Sequence, residues 1–238
     1  MAVYYNTNRK YVVKTTKGEN MKVSFLLETA LFQGIAPQEL ETLLPRLRMH
    51  KEQFSKGAVI YHAGERIREL GIVVSGRIQI ETYDLWGNRS VLDSIGPKTI
   101  FAETYACLPD EVMLVTVSAS EDSEVYFLDA HAMIKAASTH PALIQNLLTL
   151  TAQKNLNLSR RIFHTSAKTI RARLQSYLSF EATRQHSNDF YLPFNRQQLA
   201  DYLSVDRSAL SNELSKMQKE GYLRIHKNHV IFPKTKTR

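Results

Sequence analysis

At 238 residues the chain can hold two modest domains, each with its own core. Its 43 % hydrophobic content is that of a globular protein, and no apolar stretch reaches bilayer-spanning length. One cysteine, Cys107, excludes an intrachain disulfide and any cysteine-only iron–sulfur or zinc site within a single chain. With no secretory signal visible, a reducing cytoplasm is the expected compartment. The net charge of +8 is unevenly placed. From Arg160 onward there are 15 Lys and Arg against 6 Asp and Glu, while the preceding residues hold 16 against 17. A near-neutral body with a basic final third is the electrostatic footprint of a nucleic-acid module.

In chain order, residues 1–20 are polar and basic, with Arg9, Lys10, Lys14 and Lys17, and read as an extended tail; Met21 would make a natural start. Ser24–Phe32 and Pro37–Leu47 have the period of short amphipathic helices separated by Gly34. From Met49 to Leu128 the pattern changes to short alternating runs: Ala58–Tyr61, Leu70–Val74, Arg77–Tyr83, Ser90–Ser94, Val112–Ser118 and Glu124–Leu128. Glycines punctuate them every few residues, which argues an antiparallel sandwich or roll. Pro141 then opens a long helix at its first position. Leu143, Leu147, Leu150, Leu158 and Ile162 give it an apolar stripe, interrupted by Lys154. Such a stripe either packs on its own domain or forms a coiled-coil seam; for a protein reading two-fold symmetric DNA the seam is preferred. Thr165–Glu181 is a further amphipathic helix, and Ala182–Asp189 a polar linker.

Asn195–Tyr222 is the most informative segment. Asn195 caps a helix over Arg196–Leu203, with Gln198 three residues on as in a capping box. Leu199, Ala200 and Leu203 form its apolar face, and small Ala200 lets a second helix cross closely. Ser204-Val205-Asp206 is the turn, with Ser204 where glycine is common, and Asp206 caps the next helix. That helix turns Ala209, Leu210, Leu214 and Met217 inward and offers Arg207, Ser208, Ser211, Asn212, Lys216 and Lys219 outward. Gly221 ends it, and Tyr222–Phe232 alternates around Lys227-Asn228-His229 as a hairpin does. Helix-turn-helix plus a two-stranded wing is a DNA-reading layout. The residues assigned to DNA are Asn195, Arg196, Gln197, Arg207, Ser208, Ser211, Asn212 and Lys216. A plain helical hairpin with a solvated polar face is the competing account of this segment alone.

The order of β-roll, long helix and C-terminal winged helix resembles the CRP/FNR family of bacterial transcription regulators. The resemblance runs from about Phe25 to Phe232. It is carried by Phe54-Ser-Lys-Gly57, Ala63-Gly64-Glu65, Val74-Ser-Gly-Arg77, Phe101-Ala-Glu103, Ser123–Leu128 and the reading head. It implies an α+β fold: an antiparallel, cyclic nucleotide-binding-like β-roll over 21–138, a dimerisation helix over 139–164 and a winged helix-turn-helix over 165–238. It also implies a homodimer, with double-stranded DNA carrying an inverted repeat and RNA polymerase as partners. The lack of a spanning stretch argues for no membrane partner, and the reading head, with no nucleophile–base motif or phosphate loop in the sequence, for no catalysis. The expected dimer interface is Leu143, Leu147, Leu150 and Leu158.

Family members that bind cyclic AMP place a glutamate on the ribose and an Arg-Ser pair ten residues later on the phosphate. Glu103 matches the glutamate, but Ala102 replaces the glycine before it, and the pair falls on Met113 and Leu114. A cyclic phosphate would meet a thioether and an isobutyl group, and burying it there costs several kcal/mol. The same register puts Leu158 and Ser159 where a threonine–serine pair meets the purine. The expected chamber lining is Glu103, Tyr105, Met113, Leu114, Thr116 and Leu158, suited to a small apolar or aromatic effector; a filled core without ligand is the alternative. No cofactor or metal is expected. The competing chemistries are a haem sensor, for which no histidine sits in a motif, and redox sensing at Cys107. A cupin-like metalloenzyme is a third, for which His62 before Glu65 lacks a paired ligand.

Overall fold

The computed structural model describes residues 13–14, 23–84, 86–87 and 89–233. The chain forms two compact units whose boundary lies between Ala152 and Gln153, inside the long helix. Most of the N-terminal tail lies outside the described residues.

The first unit runs β1 (Val13–Lys14), α1 (Val23–Leu27), α2 (Pro37–Leu43), β2 (His50–Phe54), β3 (Val59–Tyr61), β4 (Glu69–Ser75), β5 (Ile78–Tyr83), β6 (Arg89–Ile95), β7 (Ile100–Phe101), α3 (Glu103–Cys107), β8 (Thr116–Ala119), β9 (Ser123–Asp129), α4 (Ala130–Ala136) and the start of α5 (Pro141–Thr165). Its strands pair antiparallel in two sheets, β1-β2-β9-β4-β7 and β3-β8-β5-β6. The expected roll is therefore present. Five elements are not announced by the sequence: β1, β2, β7, α3 and α4. The helix expected over Ser24–Phe32 is α1 followed by a 3-10 turn at Ala30–Phe32, and that over Pro37–Leu47 is α2 followed by a second at Leu44–Leu47.

The first sheet is covered on both faces, which explains its uninterrupted apolar runs. Val73 of β4 and Val125 and Phe127 of β9 face the roll interior with Phe54, Phe101 and Met113. Their neighbours Leu70, Ile72, Tyr126 and Leu128 face a helical layer made by Leu26, Phe32, Leu40, Leu43, Met133 and Leu143. Gly71 is fixed by crowding, since a Cβ there would lie 2.1 Å from the Phe101 ring.

The start of α5 belongs to that helical layer. Leu143 and Leu147 are buried in it and Leu150 packs against it. The Asn146 side-chain amide donates to the carbonyls of Leu31, at 3.0 Å, and Gln33, at 2.8 Å. This corrects the expected dimer seam: Leu143, Leu147 and Leu150 cover the chain's own core. The large apolar residues that α5 exposes are Leu148, Leu156, Leu158, Ile162 and Phe163.

The second unit holds the rest of α5, then α6 (Ile170–Arg184), β10 (Asp189–Tyr191), α7 (Arg196–Leu203), α8 (Arg207–Lys219), β11 (Arg224–His226) and β12 (His229–Ile231). The helix expected over Thr165–Glu181 starts later, because Thr165 ends α5 and Thr169 caps α6 by accepting from the Ala172 amide at 3.1 Å. The expected linker is helical as far as Arg184 and then supplies β10, the outer strand of a three-stranded sheet ordered β10-β12-β11. Leu174, Leu178, Phe190, Leu199, Leu210 and Leu214 form the core of this unit.

Candidate nucleic-acid interface and effector chamber

The helix-turn-helix is built as its sequence suggests. The Asn195 Oδ1 accepts from the Gln198 amide at 3.0 Å, and the Gln198 Oε1 accepts from the Asn195 amide at 2.9 Å, which closes the capping box on α7. Ser204 takes the left-handed conformation at φ +54°. The turn is fastened from α6, where Arg173 donates to the carbonyls of Leu203 at 3.0 Å and Ser204 at 3.1 Å. Asp206 accepts from the Ala209 amide at 2.9 Å and from the Ser208 hydroxyl. These bonds, the Ser208 hydroxyl first, hold its carboxyl below the usual carboxylate range. At the far end of α8 the Gly221 amide donates to Gln218 and the Tyr222 amide to Met217, a Schellman motif with Gly221 at φ +81°.

The eight residues assigned to DNA are not equivalent. On α8, Arg207, Ser208, Asn212 and Lys216 are exposed, and Ser208, Asn212 and Lys216 recur every fourth residue along one row. Ser208 is tied to Asp206, and half-buried Ser211 donates back to the Arg207 carbonyl at 2.9 Å. The Arg207 and Asn212 side chains have no hydrogen-bond partner among the described residues. On α7, the Asn195 carbonyl oxygen is engaged by its cap, Gln197 donates to Asp201 at 2.9 Å, and Arg196 is half-buried, which lowers its guanidinium pKa by desolvation. The helix start therefore serves mainly to build the head, and α8 carries the free donors.

Sequence reasoning passed over the arginines of α6. Arg171 binds Glu220 through both guanidinium ends, at 2.6 and 2.9 Å, and Glu213 through Nε. These bonds, Glu220 first, raise its pKa above the ordinary arginine value. Glu213 of α8 and Glu220 at its C-cap thus share one counter-charge. The second omission is the side chains of the expected wing, where Arg224, His226 and Lys227 are exposed. A cleft of about 430 Å³ lies there, lined by Gln218, Arg224, Ile225, His226, His229 and Ile231. The hairpin was visible in the alternation of 224–231, but alternation does not say which side chains stand beside α8.

Inside the roll, Glu103 opens α3 and is buried, and Ala102 before it sits at φ +61°. Met113 is 1 % exposed and packs in the same cluster as Tyr105. The Tyr105 hydroxyl accepts from the Leu114 amide at 3.3 Å, and the Thr116 hydroxyl accepts from the Ala63 amide at 3.3 Å. Leu114, expected in the lining, is instead 77 % exposed. Leu158 belongs to the second unit and is 57 % exposed. The interior is crowded with rings: Tyr61 lies 6.4 Å from Phe101 and 6.0 Å from Phe127, and Phe101 lies 6.4 Å from Phe127. Cys107 is half-buried, and burial followed by the Glu103 charge pushes its thiol up, which works against thiolate chemistry. Among the described residues no group of three or more His, Cys, Asp or Glu is placed to hold a metal ion, and no helix is long and apolar enough to cross a membrane.

Residues 51–140 match the cyclic nucleotide-binding domain family and residues 172–236 the Crp-like helix-turn-helix domain family. Over 195 residues the chain is 24 % identical to the cyclic AMP receptor protein of Thermus thermophilus, covering 82 % of this chain and 88 % of that one. It is 22 % identical over 213 residues to a CRP-like cAMP-activated global transcriptional regulator of Mycobacterium tuberculosis, covering 87 % and 93 %. Among solved structures, CprK complexed with OCPA superposes with a TM-score of 0.59 at 16 % identity, covering 82 % of this chain and 91 % of that one.

Proposed function

Given that the chain belongs to the CRP/FNR family of transcription regulators, we propose that it acts as a homodimer that reads an inverted repeat and answers to an effector that is not a cyclic nucleotide. The observation that carries the DNA reading is the exposed side of α8: Arg207 and Asn212 have no internal partner among the described residues, while Glu213 of that helix and Glu220 at its C-cap are held by Arg171. Arg207, Ser208, Ser211 and Asn212 occupy the turns that enter the major groove, and Lys216 lies further along for a phosphate. RNA polymerase is the further partner in this reading.

Dimerisation is supported by a displaced seam. Leu148, Thr151, Asn155, Leu158 and Ile162 alternate by three and four residues, the spacing of a coiled-coil seam. Asn155 occupies a core position, where a single asparagine favours a defined register in a two-stranded coil. Of the expected interface, Leu158 fits this seam.

The two sequence relatives named above carry cyclic AMP in their names; here Met113 is buried in the ring cluster and Leu114 points outward, so neither position offers a cyclic phosphate a cation. The effector reading that fits is a small apolar or aromatic molecule beside Glu103, Tyr105, Met113 and Thr116. Selection of bound duplexes from a randomised pool, with sedimentation of the free protein, tests the whole reading. A monomer in sedimentation, or a pool without an inverted repeat, overturns it.

A further inference from the structure

The last turn of α5 inserts His164 into the reading head. The ring is 1 % exposed and surrounded by aromatic side chains: Tyr177 and Phe180 of α6 at 5.6 and 5.2 Å, and Tyr202 of α7 at 6.1 Å. Its Nδ1 lies 3.0 Å from the Ser176 hydroxyl, and its Nε2 has no partner. One turn earlier, Arg161 donates to the carbonyls of Asp201 and Tyr202 at the end of α7. The same few residues thus join α5 to α6 and α7.

A neutral imidazole makes one hydrogen bond in this cage and, donating through Nδ1, leaves at Nε2 only an unpaired lone pair, the cheaper of the two defects. A protonated one has a second N–H that needs an acceptor, and Nε2 has none in the cage. The charged groups around it do not supply one. Glu181 of α6 attracts a proton but is held by Arg184 and Gln185. Arg160 of α5 lies over the Phe180 ring and repels it, Arg161 is committed to backbone carbonyls, and the Tyr177 hydroxyl is itself buried without a partner. The phenols of Tyr177 and Tyr202 are held neutral, burial pushing both upward.

We propose that His164 is a proton-sensitive latch: neutral, it locks the end of α5 into the head; protonated, it leaves the cage and frees the head from the helix that carries it. Burial, outweighing Glu181 and reinforced by Arg160, lowers the affinity of the docked ring for a proton below that of a free histidine. The sign follows. The docked state binds fewer protons, so the latch holds fully above the ordinary histidine value of about 6.5 and weakens as pH falls below it. Its coupling to transcription rests on the DNA reading of α8; the latch itself does not.

The test is amide hydrogen exchange of the full chain at pH 7.5 and 5.5, corrected for intrinsic rates, in wild type and His164→Phe, which fills the cage without titrating. The wild type should lose protection over Arg160–Thr165 and α6 by at least about threefold on acidification. The variant, which keeps His186, His226 and His229, should not. Equal losses in the two proteins overturn the latch. Should the variant fold poorly, the His164 ring is titrated directly by NMR in wild type: a proton taken up at or above the free value overturns it. DNA affinity forms a separate arm on a selected duplex. The wild type should weaken relative to His164→Phe at pH 5.5 only. Absence of DNA binding by both at pH 7.5 would count against the DNA reading, and the exchange result would still decide the latch.

Discussion

Arg171 on α6 grips Glu220, at the C-cap of α8, with both terminal nitrogens of its guanidinium and reaches Glu213 of α8 with its Nε. Its ring-facing side lies 5.8 Å from the Tyr222 centroid. One cation therefore fixes the far end of the reading helix and screens two carboxylates from a polyanion. Arg171→Ala should weaken binding to every duplex sequence, most at low salt, because two uncompensated acids then face the DNA. Adding Glu213→Gln and Glu220→Gln to that variant should restore most of the affinity. Fluorescence anisotropy at several salt concentrations reads both effects; a triple variant as weak as the single one would show that Arg171 acts through the fold alone.

The reading helix makes a more selective prediction. An asparagine amide offers one donor and one acceptor, matched to adenine N6 and N7 in the major groove. Asn212→Ala should cost about 1–3 kcal/mol and relax the preference for A·T at one half-site position only. Lys216→Ala should weaken all sequences alike and flatten the salt dependence. Half-site centres should lie about 10–11 base pairs apart. Selection from randomised half-sites checks the three together, and an unchanged base preference in Asn212→Ala removes Asn212 from base reading.

The dimer seam separates two leucines that look alike in sequence. Leu147 is buried in its own unit, so Leu147→Glu should destabilise that unit by several kcal/mol and lower its unfolding temperature. Leu158 is exposed, so Leu158→Glu should leave the fold intact and yield monomers. Asn155→Leu should strengthen association while loosening its stoichiometry. Sedimentation and calorimetry on the three variants decide it; a Leu158→Glu dimer as tight as wild type would place the interface elsewhere.

What the sequence made legible follows from how local each signal is. The capping box, the Asp206 cap and the Gly221 stop depend on neighbours three or four residues away, and α7 and α8 appear with the expected ends. The two-residue strand β7 and the five-residue helix α3 carry too few residues for a period to show, and only their pairing or packing defines them. The α5 stripe was visible, but not what covers it. Two apolar stripes diverge along that helix, and only the position of Leu31 and Gln33 beneath Asn146 assigns the first to the chain's own core. The register of the family's Arg-Ser pair puts both Met113 and Leu114 in the chamber, but consecutive side chains of an extended segment face opposite ways, and here Met113 turns in and Leu114 out.

Ser204 tests how much strain the turn holds. At φ +54° a residue with a Cβ costs about 1 kcal/mol over glycine, which Ser204→Gly recovers in part against the greater freedom of its unfolded chain. The expected change is within about 0.5 kcal/mol. Ser204→Val, β-branched, should lose about 1–3 kcal/mol. Denaturant unfolding of the two variants reads the difference, and equal midpoints would mean that the turn relaxes around either residue.

Cyclic AMP should not bind at physiological concentration. A cyclic phosphate needs a cation or several donors once it leaves water. At the two positions where relatives would supply them stand Met113, sealed among Phe101, Phe127 and Val117, and Leu114, whose amide is already donated to the Tyr105 hydroxyl. Glu103 opens α3 behind Ala102 at φ +61°, but a ribose contact alone could not offset an unpaired anion. Calorimetry should therefore detect no binding tighter than about 100 µM, roughly −5.5 kcal/mol. The Met113→Arg, Leu114→Ser variant should gain little, because the interior around Met113 is already packed with the Tyr61, Phe101 and Phe127 rings. Tight binding by the wild type would show that the rings move aside and that the phosphate finds donors other than these two residues.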